Sequence, residues 1–142
     1  EIIEDYFIKF SRIKEFMETT IVFTENNLLV KTEFGRIRPL LDIKSSNRNI
    51  RNFNERAAVN TRVQGTAADI IKIAMINIQK KMEQKQMKSK MIIQVHDELV
   101  FDVVASELEA MKELVKVGME QVIKFSVPLK VDISIGKNWN KH

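Results

Sequence analysis

Met91-Ile92-Ile93-Gln94-Val95-His96-Asp97-Glu98-Leu99-Val100-Phe101-Asp102-Val103 is the stretch on which the reading of the fold turns. Two apolar, β-branched runs, Met91 to Val95 and Leu99 to Val103, flank the polar His96-Asp97-Glu98, the pattern of a β-hairpin with a polar tip. Rigid strands place a carboxylate better than a loop can. Asp97 is therefore a candidate ligand for a hard divalent cation, which takes oxygen ligands. Asp is also a common turn residue whose side chain bonds its own backbone, so spacing alone leaves Asp97 open between the two roles.

Downstream of the hairpin, Ser106 with Glu109 reads as a capping box opening a helix along Leu108, Met111, Leu114, Val115, Met119, Val122 and Ile123, which Pro128 stops. Leu129, Val131, Ile133 and Ile135 then alternate with Lys130, Asp132 and Ser134, which predicts a half-buried strand. Upstream lies a long helical segment with Val59, Val63, Ile70, Ile71, Ala74, Met75, Ile78 and Met82, opened by Asn52 as cap with Glu55 three residues on. Gly65 interrupts it at a cost of about 1 kcal/mol relative to Ala, which points to a bend or a close backbone approach.

Before that helix, Asn47 to Asn54 reads as a polar loop. Ile3, Tyr6, Phe7, Phe10, Ile13, Phe16 and Met17 recur at helical spacing and predict an amphipathic helix ending near Thr19. Ile21 to Phe23 and Leu28 to Val30 predict a hairpin around Glu25-Asn26-Asn27, and Gly35 marks a second turn. The class that results is α+β, a small antiparallel sheet covered by helices. No repeat, low-complexity tract or linker marks a domain boundary within residues 1–142.

At 142 residues the chain is long enough to bury a modest core without disulfides or a structural metal, and it has no cysteine. That excludes thiolate chemistry and zinc-knuckle ligand sets, leaving oxygen ligands for any metal. No apolar run approaches the roughly 20 residues of a membrane span, so no membrane partner is expected. The sequence opens on Glu1 and goes straight into a helical pattern, which is the expectation for a fragment of a longer protein. Within a net charge of +4, Lys31, Arg36, Arg38, Lys44, Arg48, Arg51, Arg56 and Arg62 fall in one stretch poor in acids. Such a stretch is a candidate phosphate-facing surface or, more simply, a solvated basic face.

Arg56, Asn60 and Gln64 stand four residues apart, so a helix presents them as one polar row. Donors in a row of that kind can reach minor-groove acceptors, whose pattern varies little between base pairs. They belong to Glu55-Arg56-Ala57-Ala58-Val59-Asn60-Thr61-Arg62-Val63-Gln64-Gly65-Thr66-Ala67-Ala68-Asp69-Ile70-Ile71-Lys72. This block resembles the family A DNA polymerase helix that lies along the primer-template minor groove. Gln94 to Phe101 is similar to motif C of the same family. The likeness extends to Tyr6-Phe7, Glu15-Phe16-Met17, Gly35-Arg36, Asp42-Ile43-Lys44-Ser45-Ser46-Asn47, Val127-Pro128-Leu129 and Gly136-Lys137-Asn138-Trp139.

The resemblance implies the C-terminal palm portion of a DNA-directed DNA polymerase of the bacterial DNA polymerase I type, acting in replication or repair by two-metal nucleotidyl transfer with Mg2+. Asp97 would be the metal-binding catalytic carboxylate, His96 would lie close to the primer terminus, and Glu98 would have a lesser catalytic part. Arg56, Asn60 and Gln64 would contact primer-template DNA, and the other partners would be a deoxynucleoside triphosphate and the upstream remainder of the polymerase. The family's second metal-binding Asp, its nucleotide-binding helix and one palm strand all lie upstream, so the sheet should be incomplete and this portion inactive alone. Thr61-Arg62 departs from the family, which often has a small or apolar residue followed by Pro, and a straighter helix is expected there. A single-subunit RNA polymerase, which shares the His-Asp hairpin, and a DNA-binding accessory module with a degenerate site remain as alternatives. Localisation stays open between a bacterial cytoplasm and a DNA-containing organelle.

Overall fold

In the computed structural model, which describes residues 2–139, α-helices combine with two separate two-stranded antiparallel sheets, an α+β architecture. The chain divides into two compact units, Glu1–Thr66 and Ala67–His142, and no linker composition marks the division. Among the described residues no helix is long and apolar enough to cross a membrane.

In the first unit, α1 (Ile2–Lys9) and α2 (Ser11–Asn27) meet at Phe10, whose φ of −117° breaks the helical path. Helix α2 runs through Ile21 to Phe23, where a strand was expected, and Glu25-Asn26-Asn27 is its last turn rather than a hairpin loop. Within the helix its threonines bond back one turn, which satisfies their hydroxyls. Thr19 donates to the Glu15 carbonyl at 2.7 Å, Thr20 to Phe16 at 2.6 Å and Thr24 to Thr20 at 2.8 Å, with Thr20 and Thr24 both buried. Leu28, left-handed at φ 55°, ends the helix and donates its amide to the Thr24 carbonyl.

The hairpin lies further on: β1 (Leu29–Lys31) pairs with β2 (Ile37–Pro39), Val30 facing Arg38. Its turn is closed by the Gly35 amide on the Thr32 carbonyl at 2.9 Å, and Gly35 at φ 82° takes the left-handed position that favours glycine. A short 3-10 turn, Leu41–Lys44, leads to α3 (Arg48–Asn60). Asn47 caps α3 by accepting from the Asn49 amide at 3.0 Å, so residues 48–54 are helix and not loop, and Asn52 lies inside it. The core of this unit is small: Val30, Leu40, Ala57 and Ala58 form one cluster, and Ile43 is fully buried as well. A π-helical turn, Thr61–Gly65, follows α3. The expected straighter helix is therefore not what forms around Arg62.

In the second unit, α4 (Thr66–Gln84) contributes Ala74, Ile78 and Met82, and α5 (Leu108–Glu120) contributes Met111 and Leu114, to one buried cluster. Each large side chain fully buried there stabilises the fold by about 1.5–3 kcal/mol. Gly118 lets α5 approach: a Cβ built on it would stand 2.5 Å from the Ile78 Cγ1. Between the helices, β3 (Lys90–Val95) pairs with β4 (Glu98–Asp102), as the sequence pattern predicts. Met91, Leu99 and Phe101 turn onto the cluster.

The Ser106-Glu109 capping box does not form. A 3-10 turn, Ala105–Glu107, precedes α5, and Glu107 stands at the N-cap without a side-chain cap bond. Its carboxylate reaches across instead, accepting from the Lys88 amide at 2.9 Å, the Ser89 amide at 2.9 Å and the Ser89 hydroxyl at 2.5 Å. Ser89 Oγ in turn accepts from the Val104 amide at 3.1 Å, so one carboxylate ties the base of β3 to the end of β4. Leu129 to Ile135 is not a strand. No partner strand is hydrogen-bonded to it among the described residues, and alternation without a ladder does not make a sheet.

Two expectations follow from the second unit. The Lys88 amide first, then the Ser89 hydroxyl and amide, hold the Glu107 carboxyl below its ordinary value of 4.5. Its contribution to stability is thus present above that value and lost as pH falls through the depressed one. Melting curves from about pH 3 to about pH 7 should show a Glu107→Gln variant less stable near neutrality and less sensitive to acid than the native protein. Gly118→Ala should lower Tm despite a helix-propensity gain of about 1 kcal/mol, because overpacking against the stiff, β-branched Ile78 costs about 1–3 kcal/mol. An accompanying Ile78→Val should recover part of the loss.

Candidate functional site

The hairpin tip belongs to the second unit. Val95 pairs with Glu98, leaving His96 and Asp97 as the two-residue turn. A turn this short needs a left-handed residue at its first position, normally glycine, and here His96 takes it at φ 53°. A non-glycine residue held there stores strain that its surroundings must support. One support is Gln94, whose Nε2 donates to the His96 carbonyl at 2.6 Å and fixes the peptide leading into Asp97. The sequence reading passed over Gln94. Its only signal was a long amide side chain two residues before the turn.

A β-bulge sits below the tip, between Met91 paired with Phe101 and Ile93 paired with Val100, so Ile92 has no opposite number. His96 and Asp97 are exposed and Glu98 is half-buried. The structure thus brings His96, Asp97 and Glu98 together at one polar tip. Among the described residues no three His, Asp or Glu side chains gather into a set that could hold a metal ion. Asp97 can therefore offer one carboxylate to a cation and not a complete site.

The row belongs to the first unit, on α3 and the π turn. Arg56, Asn60 and Gln64 are all exposed, while Asn54, Ala57, Ala58 and Thr61 on the other side are buried. The predicted row is present as a solvent-facing edge, flanked by the exposed apolar side chains of Phe53 and Val63. Gly65 makes the close approach its position implied, since a Cβ there would lie 2.9 Å from the Thr32 Cγ2.

Three arginines of the basic stretch also meet partners within the unit. Arg36 Nη2 donates to the Gly65 carbonyl at 3.0 Å, Arg38 Nη1 to the Thr61 hydroxyl at 3.2 Å, and Arg62 Nη2 pairs with Glu33 at 2.8 Å. They brace the π turn, Arg36 and Arg38 from exposed positions and Arg62 from a half-buried one. Their role could not be read from charge order alone, because their partners stand more than 20 residues away in sequence.

The description "DNA polymerase family A" matches residues 1–141. The chain is 44% identical over 139 residues to DNA polymerase I of Caldicellulosiruptor bescii, covering 98% of this chain and 16% of that protein. It is 47% identical over 137 residues to DNA polymerase I of Lactococcus lactis subsp. cremoris, covering 96% of this chain and 16% of that protein. Among solved structures it is similar to the POL domain of Pol1 from M. smegmatis in complex with DNA primer-template and dNTP, with a TM-score of 0.93 and 36% identity, over 96% of this chain and 24% of that one. The chain thus spans about a sixth of the length of the curated relatives it matches. With that likeness running from one end to the other, and the tip and the row each built from the residues that the resemblance singled out, the protein belongs to DNA polymerase family A.

Proposed function

We propose that this chain supplies the C-terminal palm portion, with its duplex-contacting helix, of a parent DNA-directed DNA polymerase that adds deoxynucleotides to a primer 3′ end. The observation that carries the reading is the His96-Asp97 turn held on two paired strands, in a chain whose family match covers residues 1–141. The match to DNA polymerase I relatives also weighs against the RNA polymerase alternative. Primer-template DNA and a deoxynucleoside triphosphate are the partners this assigns, by analogy with the ligands of the M. smegmatis domain.

Asp97 fits a hard divalent cation in kind: an exposed carboxylate on a turn fixed by strand pairing and by the Gln94 bond. Mg2+ bound there would polarise phosphate oxygens and stabilise the attacking and leaving oxygens of an in-line displacement. The second carboxylate such a site requires would come from another part of the parent. His96, displayed beside Asp97, would sit near the primer terminus, with Glu98 in support. Arg56, Asn60 and Gln64 would hold the duplex by sequence-tolerant minor-groove contacts.

Asp97→Asn in the parent should lower the extension rate by at least about a hundredfold, since the lost charge acts mainly on the transition state. Melting temperature and DNA affinity should stay near native, because Asn keeps the size of Asp and is as well suited to a turn. Steady-state extension with those two controls decides the matter, and near-normal turnover would remove Asp97 from the metal site and favour the accessory-module reading. Gln64→Ala or Arg56→Ala should weaken primer-template binding by about 1–3 kcal/mol per lost bond, with little dependence on base sequence. A titration across several duplex sequences tests this, and a strongly sequence-dependent loss would contradict minor-groove contact of this kind.

A further inference from the structure

Arg62 is surrounded by partners from two other elements of its unit. Its guanidinium carbon lies 4.6 Å from the Phe16 ring centroid, Nη1 donates to Thr20 Oγ1 at 3.1 Å, and Nη2 donates to Glu33 Oε1 at 2.8 Å. Phe16 and Thr20 belong to α2, and Glu33 lies in the turn between β1 and β2. The Thr20 hydroxyl has one proton, which goes to the Phe16 carbonyl, so it meets Arg62 as an acceptor. An ion pair as exposed as Arg62–Glu33, with side chains 31% and 43% accessible, contributes little by itself. Ring stacking and the bond to a buried hydroxyl are what give the guanidinium a single direction.

The π turn that carries Arg62 needs such help. An i→i+5 turn is rare and persists where something outside the helix holds it. Four contacts do so here: those of Arg62, Arg38 on Thr61, Arg36 on Gly65, and the Glu33 amide on the Thr66 hydroxyl at 3.1 Å. Arg62 stands two residues from Asn60 and two from Gln64, and two residues are about 200° around a helix. The side chain that is drawn inward onto α2 therefore lies opposite the two that face outward.

We infer that Arg62 is a positioning residue for the duplex-contacting row: anchored on Phe16, Thr20 and Glu33, it sets the phase of the π turn so that Asn60 and Gln64 face the DNA, and does not touch the DNA itself. This rests on the reading of Arg56, Asn60 and Gln64 as primer-template contacts.

The test is primer-template affinity of the parent polymerase, measured over a range of salt for Arg62→Met and Arg62→Lys, each with Gln64 intact and with Gln64→Ala. Arg62→Met should weaken binding about fivefold with the salt dependence unchanged, and should cost less, about twofold, once Gln64 is already Ala, because only its effect through Asn60 then remains. Arg62→Lys, which keeps the charge but not the fork, should fall between Met and native. Glu33→Gln, a milder change on an exposed turn, should weaken binding about twofold and keeps the inference testable if Arg62→Met fails to fold. A salt slope reduced by about one would mean that Arg62 meets a phosphate directly, and would overturn the inference. So would a loss that persists undiminished beside Gln64→Ala, or native affinity for Arg62→Met and Glu33→Gln while Gln64→Ala binds poorly. If Gln64→Ala itself leaves affinity unchanged, the row is not a DNA contact and the positioning role falls with it.

Discussion

A hydroxyl taken out of water has to find its partners inside the protein, and Thr20 meets that requirement as donor and as acceptor. Its proton goes to the turn before it and its lone pair to Arg62. Because that arginine also lies over Phe16 and against Glu33, a buried helix position becomes the anchor of a segment forty residues later. The neighbouring contacts repeat the logic: Thr61, Thr66 and the Gly65 carbonyl are each met by a group from β1, β2 or the turn that joins them. These directed polar contacts supplement a small apolar core of Val30, Leu40, Ile43, Ala57 and Ala58.

The second unit is organised differently. Ile78, Met82, Met111 and Leu114 form an apolar cluster, and Gly118 lets the two helices close over it. The hairpin rests on that cluster through Leu99 and Phe101 and is fastened at its base by the Glu107 carboxylate. Its free end carries the strain of a left-handed histidine, which a firmly held base can tolerate. Rigidity at one end is what allows an unusual conformation at the other.

The parts of this arrangement that were legible in the sequence are those with local causes. The hairpin around His96 and Asp97 followed from two stiff apolar runs, and the row from simple helical spacing. Gly65 announced an interruption because a glycine inside a helix needs a reason. What was misread depends on how side chains are used rather than on their type. Ile21 to Phe23 looks like strand until the threonines around it are seen to bond back along a helix, with Thr20 and Thr24 buried. Residues 48–54 look like loop because asparagine is usually a turn former, yet Asn47 caps the helix and Asn54 donates to the Ile50 carbonyl within it. Ser106 and Glu109 satisfied a capping pattern while the neighbouring Glu107 had stronger claims elsewhere. Residues 129–135 have the right alternation but join no ladder among the described residues, and pairing is not a property of one segment.

The bulge at Ile92 bears on how such a hairpin can vary. A strand is a two-state count, and each residue inherits its face from whether an odd or an even number of positions separates it from the last fixed point. The unpaired Ile92 changes that parity once, between the base clamped by Glu107 and the tip. Gln94 and Leu99 consequently share a face with Met91 and Phe101, and Val95 and Glu98 take the other. The bulge therefore absorbs one residue of β3: without Ile92 the same pairs, from Met91 with Phe101 to Val95 with Glu98, would follow one another as a regular ladder.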